Sequence, residues 1–146
     1  MIESNDLEGL LKDYFIYNSS RIIVISPFIT NSVLESILPY DSGNNVTIIT
    51  SWRAEHLQSG VSNIELFQLA KKRQWNLYIN DNIHLKLYSN NYHDCLIGSA
   101  NVTRKGLGDF TGSNIEGLYR IEEMDTNNNI LIEKIILNSI LVTEKL

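Results

Sequence analysis

The sequence is poor in residues that cross-link or stiffen a chain, with one cysteine and two prolines among 146 residues. A lone cysteine, Cys95, excludes an intrachain disulfide, and no Cys-x-x-Cys or Cys/His cluster indicates a zinc site. Because Cys95 opens the apolar run 95–97, we expect a buried, reduced thiol rather than a nucleophile.

Long hydrophobic runs are also missing. No apolar stretch approaches the roughly 20 residues that span a bilayer, and the first six residues, MIESND, contain neither a basic start nor an apolar signal core. We therefore expect a cytoplasmic protein that works without a membrane.

Positive charge is scarce, since 12 lysines and arginines face 17 aspartates and glutamates and leave a formal net charge of −5. This balance argues against a protein that holds nucleic acid by bulk charge. Six of the 12 basic residues fall between positions 71 and 105, however, so a local basic groove remains compatible with the sequence.

The pattern that is present predicts one α/β domain over residues 1–146. Continuous β-branched runs at 21–26 and 46–50 indicate strands buried on both faces, as in a parallel or mixed sheet. Further strands are predicted at 77–79, 83–88, 94–97 and 115–121. Apolar residues at helical spacing occupy 7–15, 33–38, 62–74 and 130–141, with the asparagines at 127–129 as a turn or cap. The fold class is therefore α/β, a mixed β-sheet sandwiched by helices.

One segment, 83–108 (IHLKLYSNNYHDCLIGSANVTRKGLG), concentrates residues suited to chemistry. His84 and Lys86 alternate with apolar neighbours, so they share one face of a strand. A hairpin loop around 90–91 leads to the partner strand, and the turn after Ser99 can bring Asn101 beside them. An imidazole, an ammonium, a hydroxyl and a carboxamide would then converge on one pocket, which suits a phosphodiester substrate.

This segment resembles the HKD signature of the phospholipase D superfamily, which is H-x-K, four residues, Asp, six residues and G-S-x-N. His84 and Lys86 stand at H-x-K, and Gly98, Ser99 and Asn101 stand at G-S-x-N. Asn91 replaces the family's Asp, which in many members supports the hairpin. The strand exits at Ser26-Pro27-Phe28 and Thr50-Ser51-Trp52-Arg53 are similar to nuclease members, namely single-motif bacterial endonucleases and restriction-enzyme nuclease domains.

The resemblance implies a phospholipase D-like fold and a mechanism without metal or cofactor. One histidine attacks phosphorus to form a phosphohistidine, and a second histidine protonates the leaving oxygen. The chain has one H-x-K, so a homodimer with one shared active site is implied. Glu116 matches a family glutamate that could set the histidine tautomer. The implied catalytic residues are His84, Lys86, Ser99, Asn101 and Glu116.

Three basic residues are candidates for binding substrate. Arg104 and Lys105 follow Asn101 closely and could grip flanking phosphates, while Arg53 lies after a strand end, where sites in such sheets often form. Each could equally be a solvated surface charge. Ser99 likewise has two interpretations, a phosphate ligand or a residue that only shapes its turn.

The leading hypothesis is a nuclease that cleaves DNA or RNA, with DNA favoured, within a restriction or other defence system. A larger recognition or motor subunit would offset the negative net charge. The alternatives are a hydrolase of phospholipids or other small phosphodiesters, and a catalytically weak binding or assembly module of the same fold.

Overall fold

The computed structural model describes residues 2–16, 20–38, 45–52, 63–108 and 114–144. Within these ranges the helices are α1 (Leu7–Ile16), α2 (Asn31–Ile37), α3 (Asn63–Arg73), α4 (Arg104–Leu107) and α5 (Thr126–Leu137). The strands are β1 (Ile2–Glu3), β2 (Ile22–Ile25), β3 (Val46–Thr50), β4 (Asn76–Ile79), β5 (Lys86–Ser89), β6 (Cys95–Gly98), β7 (Leu118–Ile121) and β8 (Ile140–Leu141).

The strands form one mixed sheet in the order β1-β7-β6-β5-β2-β3-β4-β8. The neighbours β2, β3 and β4 run parallel, and every other pair runs antiparallel. The predicted hairpin of β5 and β6 is confirmed, with Leu87 opposite Ile97. β5 inserts beside β2, where Val24 lies opposite Tyr88, so the hairpin is joined to the parallel half of the sheet.

Helices cover both faces of the sheet, as the apolar runs predict. Helices α1 to α4 pack on the face that carries Val24, Ile48 and Tyr88. Helix α5 packs through Ile132 on the opposite face, which carries Cys95. Cys95 is a free thiol and is buried, as predicted, and burial raises its pKa to about 11.

The C-terminal helix differs from the prediction of 130–141. The Asp125 side chain accepts a hydrogen bond from the Asn128 backbone N–H at 2.9 Å and caps α5 four residues earlier than expected. The asparagines at 127–129 therefore form the first helical turn instead of preceding it. Ile140 and Leu141 leave the helix and pair with β4 as an edge strand, because cross-strand hydrogen bonds there replace further helical ones.

Two strand boundaries near the predicted site also shift. β5 begins at Lys86, so His84 precedes the strand, and β7 begins at Leu118, so Glu116 lies in the approach to it. Strand β1, absent from the prediction, covers the edge of β7. Of the helices described, none is long and apolar enough to cross a membrane.

Candidate functional site

The topology gathers the predicted catalytic residues at one end of the sheet. Lys86, the first residue of β5, lies opposite Gly98, the last residue of β6, which in turn lies opposite Leu118 at the start of β7. His84 lies two residues before Lys86, and Glu116 lies two residues before Leu118, the first residue of β7. Because β2 is antiparallel to β5, the β2 end at Ser26 reaches the same place.

Lys86 is a buried cation at this end, with 8% of its surface exposed. Burial lowers the pKa of Lys86, and the negative charge of Glu116 opposes that shift. Tyr88, two residues further along the same face, is fully buried, and its pKa is raised by burial and then by Glu116. The Glu116 carboxylate is therefore close enough to Lys86 and Tyr88 to influence both groups electrostatically.

His84 differs from Lys86 in being exposed. An imidazole on the surface at the strand entrance is open to a substrate approaching the sheet end. Within the described part of the chain, no three His, Cys, Asp or Glu side chains cluster as metal ligands would.

Ser99 follows the last residue of β6 and is hydrogen-bonded to Gly117, the residue before β7. Its backbone N–H donates to the Gly117 carbonyl at 3.0 Å, and its Oγ accepts from the Gly117 N–H at 3.1 Å. These bonds hold the residue next to Glu116, which supports the interpretation that Ser99 shapes the turn. Gly98 permits this contact, because a Cβ there would lie 2.1 Å from the Gly117 oxygen.

Asn101 is half-buried, and its segment is held on several sides. Ser26 Oγ lies 3.2 Å from Asn101 Oδ1 and accepts from the Val102 N–H at 3.0 Å. The Tyr88 hydroxyl donates to the Ala100 carbonyl at 2.7 Å. The carboxamide is therefore brought to the same sheet end as Lys86.

The predicted substrate-binding residues have different outcomes. Arg104 and Lys105 open α4 and are both exposed. The Thr103 hydroxyl caps this short helix by accepting from the Gly106 N–H at 2.9 Å. The cap fixes the start of the helix, from which the side chains of Arg104 and Lys105 extend. Arg53 lies outside the described residues.

Asn91 lies at the opposite end of β5, in the hairpin turn. Its Oδ1 accepts from the backbone N–H groups of His93 and Asp94 at 2.5 and 3.0 Å. Its Nδ2 donates to Asp94 Oδ1 at 3.2 Å. Asn in place of the Asp of the HKD signature therefore affects the turn and not the sheet end that carries Lys86.

Sequence reasoning did not assign roles to Ser26 or Tyr88. A signal existed for each: Ser26 is a polar residue closing a buried strand, and Tyr88 continues the alternation of His84 and Lys86. Neither signal indicates a contact with the loop at Asn101, because Ser26 lies 75 positions before Asn101 and Tyr88 lies 12 positions before its partner Ala100.

No protein-family model matches the chain, and no curated protein sequence matches it. Solved structures do match. Nuc from Salmonella typhimurium, described as a phospholipase D family member, superposes with a TM-score of 0.72 at 15% identity over 99% of both chains. NucT from Helicobacter pylori gives 0.67 at 14% identity over 97% of this chain and 98% of its own. The archaeal chromatin protein TrmBL2, described as binding DNA, gives 0.61 at 15% identity over 97% and 54%.

These superpositions cover nearly the whole chain at low identity, so they concern architecture and not detailed chemistry. Both Nuc and NucT are matched over almost their full length. The chain therefore has the phospholipase D-like fold.

Proposed function

We propose that the protein is a metal-independent phosphodiesterase, a nuclease that cleaves DNA through a phosphohistidine intermediate at a site shared across a homodimer. In this proposal residues 1–146 act as one nuclease domain. The observation that supports the proposal is the strand arrangement of a phospholipase D-like sheet. β5 begins at Lys86, two residues after His84, beside the end of β6 that leads to Asn101 and the start of β7 that follows Glu116.

Each side chain has a role that follows from its surroundings. An imidazole nitrogen of exposed His84 attacks phosphorus, and the bond from phosphorus to the leaving oxygen breaks. Lys86 and Asn101 stabilise the charge on the non-bridging oxygens. Since Lys86 is held out of water, its charge acts more strongly on phosphorus than a solvated lysine would. Glu116 orients the imidazole by accepting its second N–H.

A second histidine must protonate the leaving oxygen and then activate the water that releases the enzyme. The chain carries one H-x-K, so a two-fold partner supplies this histidine from its own His84. Each site then contains two copies of His84, Lys86 and Asn101.

Nucleic acid is the proposed substrate, with DNA favoured over RNA. The exposed Arg104 and Lys105 stand three and four positions after Asn101, where they can contact phosphates flanking the scissile one. One protein of the same fold, TrmBL2, is described as binding DNA. With a net charge of −5, the domain gains from a larger recognition or motor subunit, as in a restriction or other defence system.

The test is cleavage of labelled double-stranded DNA, single-stranded DNA and RNA in EDTA at low salt, where phosphate contacts are strongest. Wild type should cleave at least one substrate, and His84→Ala should lower the rate by more than about a thousandfold. His93→Ala is the matched control, since His93 is exposed at the far end of the hairpin.

Two other substrates separate the alternatives. Cleavage of phosphatidylcholine vesicles but of no nucleic acid would replace the nuclease with a lipid phosphodiesterase. A confirmed dimer that cleaves no nucleic acid, no phosphatidylcholine and no bis-p-nitrophenyl phosphate would contradict the proposal that the protein is an enzyme. A binding module would then be the remaining interpretation. Cleavage that survives His84→Ala would contradict the mechanism.

A further inference from the structure

We propose that Ser26 is a positioning residue that orients the Asn101 carboxamide so that its Nδ2 donates to a phosphoryl oxygen. The inference rests on the proposed function and adds a residue to its machinery. It concerns a hydroxyl that does not touch the substrate and acts through Asn101.

The Ser26 hydroxyl is surrounded by protein groups only. Ser26 has no exposed surface at the end of β2, so water cannot satisfy its hydroxyl. Its Oγ lies 3.0 Å from the Val102 nitrogen, 3.2 Å from Asn101 Oδ1 and 2.7 Å from the Phe28 carbonyl oxygen. One serine thus links the exit of β2 to the G-S-x-N loop.

The backbone around Asn101 is fixed by other contacts. The Asn101 carbonyl accepts from the Thr103 N–H at 2.8 Å, and the Val102 carbonyl accepts from the Thr30 N–H at 2.8 Å. A Cβ on Gly106 would lie 2.3 Å from the Asn101 carbonyl oxygen, so the loop also packs closely on α4. The rotation of the carboxamide is the freedom that remains, and among the described residues Ser26 is its hydrogen-bond partner.

The hydroxyl has a single hydrogen, which decides the orientation of the amide. The Val102 N–H already occupies one lone pair of Ser26 Oγ. If the hydroxyl donates to Asn101 Oδ1, the amide Nδ2 faces away from Ser26 and can donate to phosphate. Without substrate the contact with the Phe28 carbonyl oxygen is the shorter one, at 2.7 Å against 3.2 Å. If the hydroxyl donates there, a reversed amide would present its oxygen to the substrate, and a negatively charged phosphoryl group disfavours that arrangement.

A double-mutant cycle tests the coupling. Ser26→Ala should lower kcat for the cleaved nucleic acid by about 10- to 100-fold and leave KM within about threefold. Ser26→Ala combined with Asn101→Ala should cleave no more slowly than Asn101→Ala alone. Additive losses, or a Ser26→Ala rate equal to wild type, would overturn the proposal.

The matched control is Ser36→Ala, because Ser36 is a half-buried serine whose hydroxyl donates locally to the Val33 carbonyl at 2.8 Å within α2. It should leave kcat unchanged. Ser26→Cys, which keeps the bulk and weakens the hydrogen bonds, replaces the alanine variant if that variant fails to fold, and it should lower kcat in the same direction.

A second measurement does not depend on cleavage. The Asn101 side-chain amide signals in a ¹H–¹⁵N spectrum, assigned by their loss in Asn101→Asp, should shift in Ser26→Ala and stay in place in Ser36→Ala. Unmoved signals would overturn the positioning role even in an active nuclease. Shifted signals in a protein that cleaves nothing would preserve the positioning role and refute the proposed function.

Discussion

Burial separates the two residues of the H-x-K motif at the residue scale. Lys86 is 8% exposed, whereas His84, two positions earlier, is exposed. The lysine lies inside the start of β5 and the histidine lies before it. A cation in a poorly solvated position and an accessible imidazole are the two properties that the proposed covalent phosphoryl transfer needs.

Lys86→Met should abolish cleavage and stabilise the fold. Burial holds the Lys86 pKa below its ordinary 10.5, so charging this lysine costs more in the folded protein than in the unfolded chain. Glu116, which is half-buried, offsets only part of that cost. Removing the charge should raise the melting temperature at pH 7 by about 2 °C or more.

The sign of the pH dependence follows from the same shift. The unfolded chain binds the Lys86 proton more tightly, so wild-type stability gains from this group as pH rises between the lowered pKa and 10.5. The advantage of Lys86→Met in urea unfolding should therefore shrink from pH 7 to pH 10. Lys72→Met, at an exposed position of α3, should show no such trend, and a variant less stable than wild type at pH 7 would contradict the argument.

At the scale of secondary-structure elements, the β5–β6 hairpin is stabilised at both ends. Asn91 holds the turn through backbone N–H groups at one end, and Ser99 binds Gly117 at the other. The site residues are attached to the second end only. An Asn in place of the family's Asp is compatible with the proposed chemistry because either side-chain oxygen can accept the backbone hydrogen bonds of the turn.

Gly98→Ala should damage the pairing of β6 with β7. A Cβ at this position would meet the Gly117 carbonyl oxygen at 2.1 Å, and a backbone atom paired in a sheet cannot move aside cheaply. We expect a loss of about 1 to 3 kcal/mol in unfolding free energy, together with lost cleavage because Glu116 would be displaced.

Gly117→Ala is the matched control for that prediction. Its Cβ would meet the Ile2 Cγ2 at 3.2 Å, and Ile2 is 70% exposed, so this side chain can rotate away. The loss in urea unfolding should stay below about 1 kcal/mol. Equal losses for the two alanine variants would contradict the close approach at Gly98.

At the scale of the whole molecule, the uneven charge and the single motif bear on the proposed assembly. Six of the 12 basic residues lie between positions 71 and 105, which include Lys86, Arg104 and Lys105. The rest of the chain is correspondingly acidic and would repel DNA away from the site. A two-fold pair would bring two copies of Lys86, Arg104 and Lys105 to one substrate. Lys71, Lys72 and Arg73 end α3 just before the start of β4, so they lie at the other end of the parallel strands.

Mixing experiments test the shared site. Wild type and His84→Ala, unfolded together and refolded in equal amounts, should retain about a quarter of the wild-type activity, because only pairs with two intact histidines would turn over. Independent monomers would retain about half, and that result would contradict the shared site. Light scattering should give the mass of a dimer for wild type, for the variant and for the mixture.

Local patterns in the sequence determined much of this protein. The buried runs of β2 and β3 and the β5–β6 hairpin follow from periodicity and turn chemistry, and the structure confirms these elements and the α/β class. The significance of H-x-K and G-S-x-N came from their resemblance to the HKD signature. The start of α5 was predicted wrongly because the asparagines at 127–129 resemble a turn. In the structure Asp125 caps the helix, and these asparagines lie in its first turn.

Only the tertiary structure decided which distant residues meet. Inserting β5 between β6 and β2 brings Ser26 to Asn101 across 75 positions and buries Lys86 within the influence of Glu116. Periodicity states which face of a strand is buried, but it does not state which strand lies beside it. Strand order is set by the packing of the whole sheet, so the charge environment of the site is a property of the folded chain.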